Sequence, residues 1–146
     1  DGQLVLAGLK ADLESLVDTF KAAGAKRALV LDMSVASHCE LLQSAVENLK
    51  PYLFEFLNDE FLDVVSNVSA EVYNTKDEAI EFLSSQLISP VKYKQSIKAH
   101  DSKVDLYIEF GNGAVLKGLN KKSSEKPTLN VSDMKTLNET IEALND

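Results

Sequence analysis

Apolar residues recur with two different periods along the chain, and the alternation of these periods predicts the elements. Residues 3–9, QLVLAGL, form a short apolar run that predicts a strand. Four apolar residues then recur at the spacing of one helix face: Leu13, Leu16, Val17 and Phe20. Gly24 follows where a helix C-cap is expected, and residues 26–34 predict a second strand. Residues 3–34 therefore predict a βαβ unit, parallel and right-handed.

The same alternation continues to the end of the chain. Further strands are predicted at residues 62–69, 104–111 and 127–132. Further helices are predicted at residues 39–51, 75–87, 90–100, 112–122 and 133–144. The third helix from the end should begin with Ser89 as N-cap and Pro90 as its first residue. Thr75 and Glu78 match the capping box that starts a helix. Strands alternating with helices indicate the α/β class.

The composition is typical of a soluble globular domain. The chain has 146 residues, which fits one domain or a large piece of one, and 45% of them are hydrophobic. No apolar run approaches the roughly 20 residues that cross a bilayer, and no signal segment is evident. Cys39 is the only cysteine, so we expect no intrachain disulfide and a cytoplasmic location. The first residue is Asp1, as in a processed protein or an excised fragment.

The charge is uneven. A net charge of −8 argues against general nucleic-acid binding. Residues 89–126, however, carry eight lysines against four acidic residues. A basic segment on an acidic protein could receive a phosphate or an acidic partner, or it could simply be a solvated helix surface.

His38 is the main candidate for chemistry. It lies in VASHCELL, residues 35–42, where strand-like residues give way to helix-like ones. Such a connection places a side chain at the sheet edge where α/β proteins put their sites, but the local sequence alone favours a loop histidine hydrogen-bonded to backbone. A metal site is disfavoured. Cys39 is adjacent to His38 and would point elsewhere if a helix begins here, and His100, the only other histidine, has no ligand-like spacing to His38. No Gly-x-Ser-x-Gly elbow supplies a nucleophile, and GNG at residues 111–113 is a tight turn or a weak anion site.

Several motifs together resemble one enzyme family. The chain contains GQLVLAG, AGAKRALVL, MSVASHCELL, SNV, QLISPVKY and YIEFGNGAVLKGLNK in this order. Malonyl-CoA:acyl carrier protein transacylases carry similar runs, among them GQVVIAG, AGAKRA, PVSxPSHC, QLxxPVxW and EVGPGKVLxGL. The resemblance extends from Gln3 to about Lys122.

The resemblance implies that the chain is the C-terminal half of such an enzyme. The fold would be an α/β-hydrolase-like acyltransferase core carrying a small ferredoxin-like subdomain. Residues 1–36 would be the βαβ half of that subdomain, and residues 37–146 would be the C-terminal part of the large core. The family's nucleophilic serine, the arginine that binds malonyl and most of the oxyanion hole lie N-terminal of everything in this sequence.

The resemblance also assigns roles. His38 would be the catalytic base that serves the serine and later the phosphopantetheine thiol of the carrier protein. The main-chain carbonyl of Gln86 would orient His38, and Ser37 would line the acyl pocket. The triplet ASH at residues 36–38 does not by itself choose between malonyl and methylmalonyl. No cofactor is implied beyond the substrate malonyl-CoA and the phosphopantetheine arm of the carrier protein.

Two departures from the family pattern and one alternative remain. GPGK is GNGA here, at residues 111–114, and PVxW is PVKY, with Tyr93 in place of tryptophan. Lys117, Lys121 and Lys122 still follow and are candidates for contact with an acidic carrier protein or coenzyme A. The expected partners are thus carrier protein, malonyl-CoA and the missing N-terminal half of the enzyme. A non-enzymatic α/β module that binds an acidic partner through these lysines is the alternative.

Overall fold

The structure is a computed structural model that describes residues 4–145. The chain divides into two compact units between Val91 and Lys92, and each unit is described by itself. The predicted domain boundary after residue 36 does not coincide with this division and stays a prediction.

The first helix forms as predicted. α1 spans Lys10–Ala22. Gly24 has a φ of 97°, and its N–H donates to the carbonyl of Lys21 at 3.0 Å. The N–H of Ala25 donates to the carbonyl of Phe20, also at 3.0 Å, which completes a Schellman motif. Glycine is required here because a side chain disfavours this left-handed conformation.

The two strands predicted on either side of α1 are wrong. Residues 4–9 and 26–34 contain no strand, and Gln3 lies outside the described residues. Both segments have strand-like sequences, but a strand also needs a neighbour for its N–H and C=O groups, and the described residues supply none here. Their apolar side chains are therefore left exposed, with Leu4 at 85% and Met33 at 66%. The predicted βαβ unit does not form in the described residues.

The next helix runs past its predicted end. A 3-10 turn at Glu40–Leu42 leads into α2, Gln43–Phe56, which continues through Pro51. The proline removes one helical N–H, but it lies on the exposed side, where water can hydrate the unpaired carbonyl. Val46, 5% exposed, anchors the buried face of α2, which packs against α3.

A hairpin and a helix complete the first unit. β1, Glu60–Val65, pairs antiparallel with β2, Val72–Thr75, a strand that the sequence analysis did not predict. α3 follows directly at Lys76–Ser85 and begins with the predicted capping box. The N–H of Glu78 donates to Thr75 Oγ1, and the Glu78 carboxylate accepts from the N–H and hydroxyl of Thr75. Tyr73 and Ala79 bury their side chains beside this junction.

The second unit begins with a shifted helix. α4 spans Tyr93–His100 with Lys92 as N-cap, so the predicted start at Ser89 and Pro90 is wrong. The reason lies upstream: the N–H of Leu87 donates to Ser84 and that of Ile88 to Ser85, so this chain segment still belongs to the end of α3. The turns at the end of α3 thus reach Ile88, the residue directly before Ser89.

A parallel strand pair organises the rest of the second unit. β3, Tyr107–Phe110, is followed by α5, Val115–Asn120, and then by β4, Thr128–Val131. The two strands pair in parallel, with Tyr107 opposite Thr128 and Phe110 opposite Val131. A 3-10 turn at Asp101–Lys103 precedes β3, and α6, Met134–Asn145, packs against β4. This strand–helix–strand unit confirms the α/β class.

The second unit buries a polar network. Asn120 is 3% exposed, accepts a hydrogen bond from the Tyr93 hydroxyl at 2.7 Å and donates to Thr128 Oγ1 at 3.1 Å. Tyr93 stands where the family pattern has tryptophan, and its hydroxyl donates the hydrogen bond to Asn120.

Among residues 4–145, no helix is both long and apolar enough to cross a membrane.

Candidate functional site

His38 sits in a constrained backbone conformation. Its φ is 64°, in the left-handed region that few residues other than glycine adopt, although histidine is among the more tolerant. The N–H of His38 donates to the carbonyl of Leu87 at 2.9 Å. The loop is therefore tied to the chain that leaves α3. Non-glycine residues held in this region cluster at functional sites.

The ring of His38 is tied to the same place. Nδ1 lies 2.7 Å from the main-chain oxygen of Gln86, while the side chain as a whole stays exposed. A carbonyl oxygen can only accept, so Nδ1 must carry the proton. In the neutral ring Nε2 is then unprotonated and able to accept a proton.

The end of α3 explains why the loop docks there. A helix leaves its last carbonyls without helical partners. The carbonyls of Ser84 and Ser85 accept from Leu87 and Ile88, at 3.3 and 3.1 Å. The next two carbonyls, of Gln86 and Leu87, accept from the ring and the N–H of His38. One residue thus satisfies two consecutive carbonyls.

The structure therefore brings together the two residues that the sequence analysis assigned as a base and its orienting carbonyl. Ser37, the candidate acyl-pocket residue, precedes His38 and is half-buried. Cys39 donates its thiol to the carbonyl of Ala36 at 3.4 Å, which holds it within its own loop. No thiol–imidazole pair is formed.

Asn67 also reaches this site, and the sequence analysis gave it no role. Its Nδ2 donates to Oε1 of Gln86 at 3.5 Å. A cavity of about 130 Å³ opens beside these two carboxamides, walled on the other sides by the hairpin and α3. The sequence signal was the SNV motif at residues 66–68, which was noted only as part of a resemblance.

The candidate lysines lie in the second unit. Lys121 and Lys122 are exposed just beyond α5, and Lys117 is half-buried within it. The start of α5, which follows the turn at residues 111–113, is not an open anion site, because the side chain of Glu109 already occupies it. Its two carboxylate oxygens accept from the N–H groups of Leu116 and Lys117, both at 2.9 Å. An internal carboxylate thus takes the place of an external anion at the start of α5.

Metal chemistry has no evident centre in this part of the chain. Within residues 4–145, no three histidine, cysteine or carboxylate side chains gather closely enough to hold an ion.

Comparison with known proteins identifies the relatives. The chain is 39% identical over 148 aligned residues to the malonyl CoA-acyl carrier protein transacylase of Bacillus subtilis, covering 99% of this chain and 47% of that protein. It is 36% identical to the Haemophilus influenzae enzyme, again covering 47% of it. No protein-family model matches the chain.

Solved structures that resemble this chain are also transacylases. The crystal structure of the Helicobacter pylori malonyl-CoA:acyl carrier protein transacylase superposes with a TM-score of 0.92 at 45% identity, over 95% of this chain and 45% of that one. A malonyl-transacylase solved in complex with a type II polyketide acyl-carrier protein superposes with a TM-score of 0.86 at 32% identity, over 93% of this chain and 45% of that one.

The α/β fold of this chain superposes on about half of a solved transacylase structure. The chain is, more specifically, a relative of malonyl CoA-acyl carrier protein transacylases that corresponds to their C-terminal half. It spans about half the length of the curated relatives that it matches.

Proposed function

We propose that this chain forms the base-bearing half of an enzyme that transfers a malonyl group from coenzyme A to acyl carrier protein in fatty acid synthesis. His38 Nε2 takes the proton of a serine hydroxyl as its oxygen attacks the malonyl thioester. The thiolate of coenzyme A leaves with that proton. His38 then takes the proton of the phosphopantetheine thiol, whose sulfur attacks the acyl-serine and frees the serine oxygen, which is reprotonated. Because a single free cysteine suits a reducing compartment, we also propose a cytoplasmic location.

The observation that carries this proposal is the 2.7 Å contact between Nδ1 and the Gln86 carbonyl on an exposed ring. It fixes the tautomer that a general base needs, without a carboxylate. Gln86 is the C-cap of α3, so the ring also lies at the partially negative end of a helix. We further propose that Ser37, next to the base, lines the acyl pocket.

We infer that the serine nucleophile comes from polypeptide outside this sequence. About half of each matched relative has no counterpart in the chain. Large apolar side chains are also exposed, including Leu62 at 89%, Phe110 at 73% and Phe56 at 71%. Exposed apolar area on this scale is typical of a surface that another protein segment covers. The proposed cover is the N-terminal half of the same enzyme.

Fusion and single-chain assays test this proposal. The 146-residue chain should not transfer malonyl by itself. A chimera that joins the unmatched N-terminal part of the Helicobacter pylori transacylase to this chain should transfer malonyl from coenzyme A to phosphopantetheinylated carrier protein. A soluble, folded chimera without transfer activity would contradict the proposal, as would full activity of the chain by itself.

We also propose that Lys117, Lys121 and Lys122 contact the carrier protein or coenzyme A. Lys117 lies within α5 and the other two lysines lie just beyond it, and one of the matched relatives was solved with a carrier protein bound. Because Glu109 fills the start of α5, any such contact should use the lysine side chains. Carrier proteins are acidic, so opposite charge would raise the association rate.

Charge reversal in the chimera tests the lysine contact. Replacing Lys121 and Lys122 by glutamate should raise KM for carrier protein and flatten the dependence of KM on salt, while kcat changes little. Lys135→Glu on α6 is the control with the same charge change per site. If Lys135→Glu and the double replacement of Lys121 and Lys122 change KM equally per site, net charge and not a contact is responsible.

A further inference from the structure

Gln86 is held at three points in the structure. Its N–H donates to the carbonyl of Phe82 at 3.0 Å, within the last turn of α3. Its carbonyl accepts from Nδ1 of His38. Its side-chain oxygen accepts a longer hydrogen bond, 3.5 Å, from Nδ2 of Asn67. The third contact comes from the turn of the hairpin between β1 and β2.

The hairpin turn that carries Asn67 is well fixed. Ser66 is 3% exposed, and its Oγ accepts from the N–H groups of Val68 at 3.1 Å and Ser69 at 3.3 Å. The N–H of Ser66 donates to the carbonyl of Glu71 at 2.8 Å, which closes the turn. Asn67 thus projects from a hydrogen-bonded turn, so only its side-chain rotamers remain to be ordered by the contact with Gln86.

The residue that it contacts needs such support. Gln86 is the C-cap of α3, and helix ends are where hydrogen bonds open most readily. The cavity of about 130 Å³ that Gln86 helps to line leaves its side chain room to move. A hydrogen bond from Asn67 restricts that motion. The Gln86 carbonyl, which belongs to the same residue, then keeps its direction toward His38.

We propose that Asn67 is a positioning residue: by holding the side chain of Gln86, it holds the main-chain carbonyl that orients His38. It contacts neither substrate nor reacting atoms in this scheme. The catalytic meaning of this role rests on the proposed function, but the coupling from Asn67 through Gln86 to His38 exists whether or not the enzyme assignment is right.

Nitrogen-15 NMR of the histidine rings in the 146-residue chain tests the coupling directly. The chain has two histidines, so His100 serves as the reference within each spectrum. The exchange rate of the His38 Nδ1 proton with water reports how well its hydrogen bond is held. Asn67→Leu keeps the shape of the side chain and removes the donor, and Gln86→Ala removes the acceptor.

Asn67→Leu should speed that exchange about two- to fivefold, the factor expected when a neutral hydrogen bond of ordinary or slightly weak strength is lost. Gln86→Ala should have the same effect, and the double variant should add nothing further, because both changes break one contact. Asn67→Asp should restore the parent rate, since the Gln86 amide can turn and donate to the carboxylate. Asn74→Ala is the matched control, because Asn74 lies in the same hairpin but donates to Asp63.

Unchanged exchange in Asn67→Leu, or additive effects in the double variant, would overturn the inference. If instead the double variant matches the singles but the chimera transfers malonyl normally with His38→Ala, the inference stands and the proposed function fails. Where both hold, Asn67→Leu should lower kcat of the chimera by the same two- to fivefold factor and leave KM unchanged.

Discussion

Replacing Ser84 by alanine should raise the free energy of unfolding. Its side chain is fully buried, at 0% exposure, and its Oγ has no hydrogen-bond partner among the described residues. Burying an unpaired hydroxyl costs about 1–3 kcal/mol in mutational data. Alanine also has the higher helix propensity, by up to about 0.5 kcal/mol. The dispersion contacts of the lost oxygen oppose these gains by a few tenths to about 1 kcal/mol.

The net expectation for Ser84→Ala is therefore a stabilisation of about 1 kcal/mol, or roughly 4–8 °C in the melting temperature of a unit of this size. Ser85→Ala is the matched control, one residue along the same helix. Ser85 Oγ donates to the carbonyl of Phe82 at 3.3 Å, and that carbonyl keeps the N–H of Gln86 when the hydroxyl is removed. The lost bond and the gained helix propensity should nearly cancel there.

Urea unfolding followed by circular dichroism measures both variants. The midpoint should rise for Ser84→Ala at an unchanged slope and should hardly move for Ser85→Ala. A Ser84→Ala variant at least 1 kcal/mol less stable than Ser85→Ala would refute the reasoning. It would mean either that the Ser84 hydroxyl is hydrogen-bonded, or that the space left by its removal destabilises the protein more than burying the unpaired hydroxyl does.

Three further predictions concern single groups. The hydrogen bond with Thr75 holds the pKa of Glu78 below its usual range, so its capping contribution should persist at neutral pH and vanish as pH falls through the lowered folded-state pKa; Glu78→Gln should flatten that part of an acid unfolding curve. Burial, and then the hydrogen bond to Asp101, raise the pKa of Tyr107 to about 12, so stability should fall as pH rises from about 10 to 12, and Tyr107→Phe should remove the last step of a tyrosinate absorbance titration. Asn120→Ala leaves the buried hydroxyl of Thr128 and the half-buried hydroxyl of Tyr93 without their partner, and it should lower the free energy of unfolding in urea by roughly 2–4 kcal/mol; no loss would mean that water replaces the amide.

Local signals in the sequence were sufficient where one segment determines its own conformation. Gly24 ends α1 and Thr75 with Glu78 begins α3, because capping depends on residues three or four positions apart. The final strand and helix, β4 and α6, were likewise predicted from periodicity alone.

Predictions failed where the outcome depends on a partner or on a neighbouring element. Residues 26–34 have a strand sequence but no neighbouring strand among the described residues, and α2 continues through Pro51 because its other face is packed. α4 begins late because the end of α3 reaches as far as Ile88. Neither pairing nor competition between adjacent elements can be read from a local pattern.

The candidate site divides in the same way. The resemblance pointed to His38 and Gln86, and the structure places them in contact. It gave no indication of the left-handed backbone at His38 or of the second bond to Leu87. The role of Asn67 was equally hidden, because its contact joins residues 19 positions apart.

The rate of malonyl transfer by the chimera with His38→Ala tests the central claim most directly. A general base contributes about 10²–10⁴-fold, so single-turnover transfer to carrier protein should fall by at least about 100-fold, while His100→Ala should leave it within twofold. A folded His38→Ala chimera that transfers malonyl at the parent rate would contradict the account.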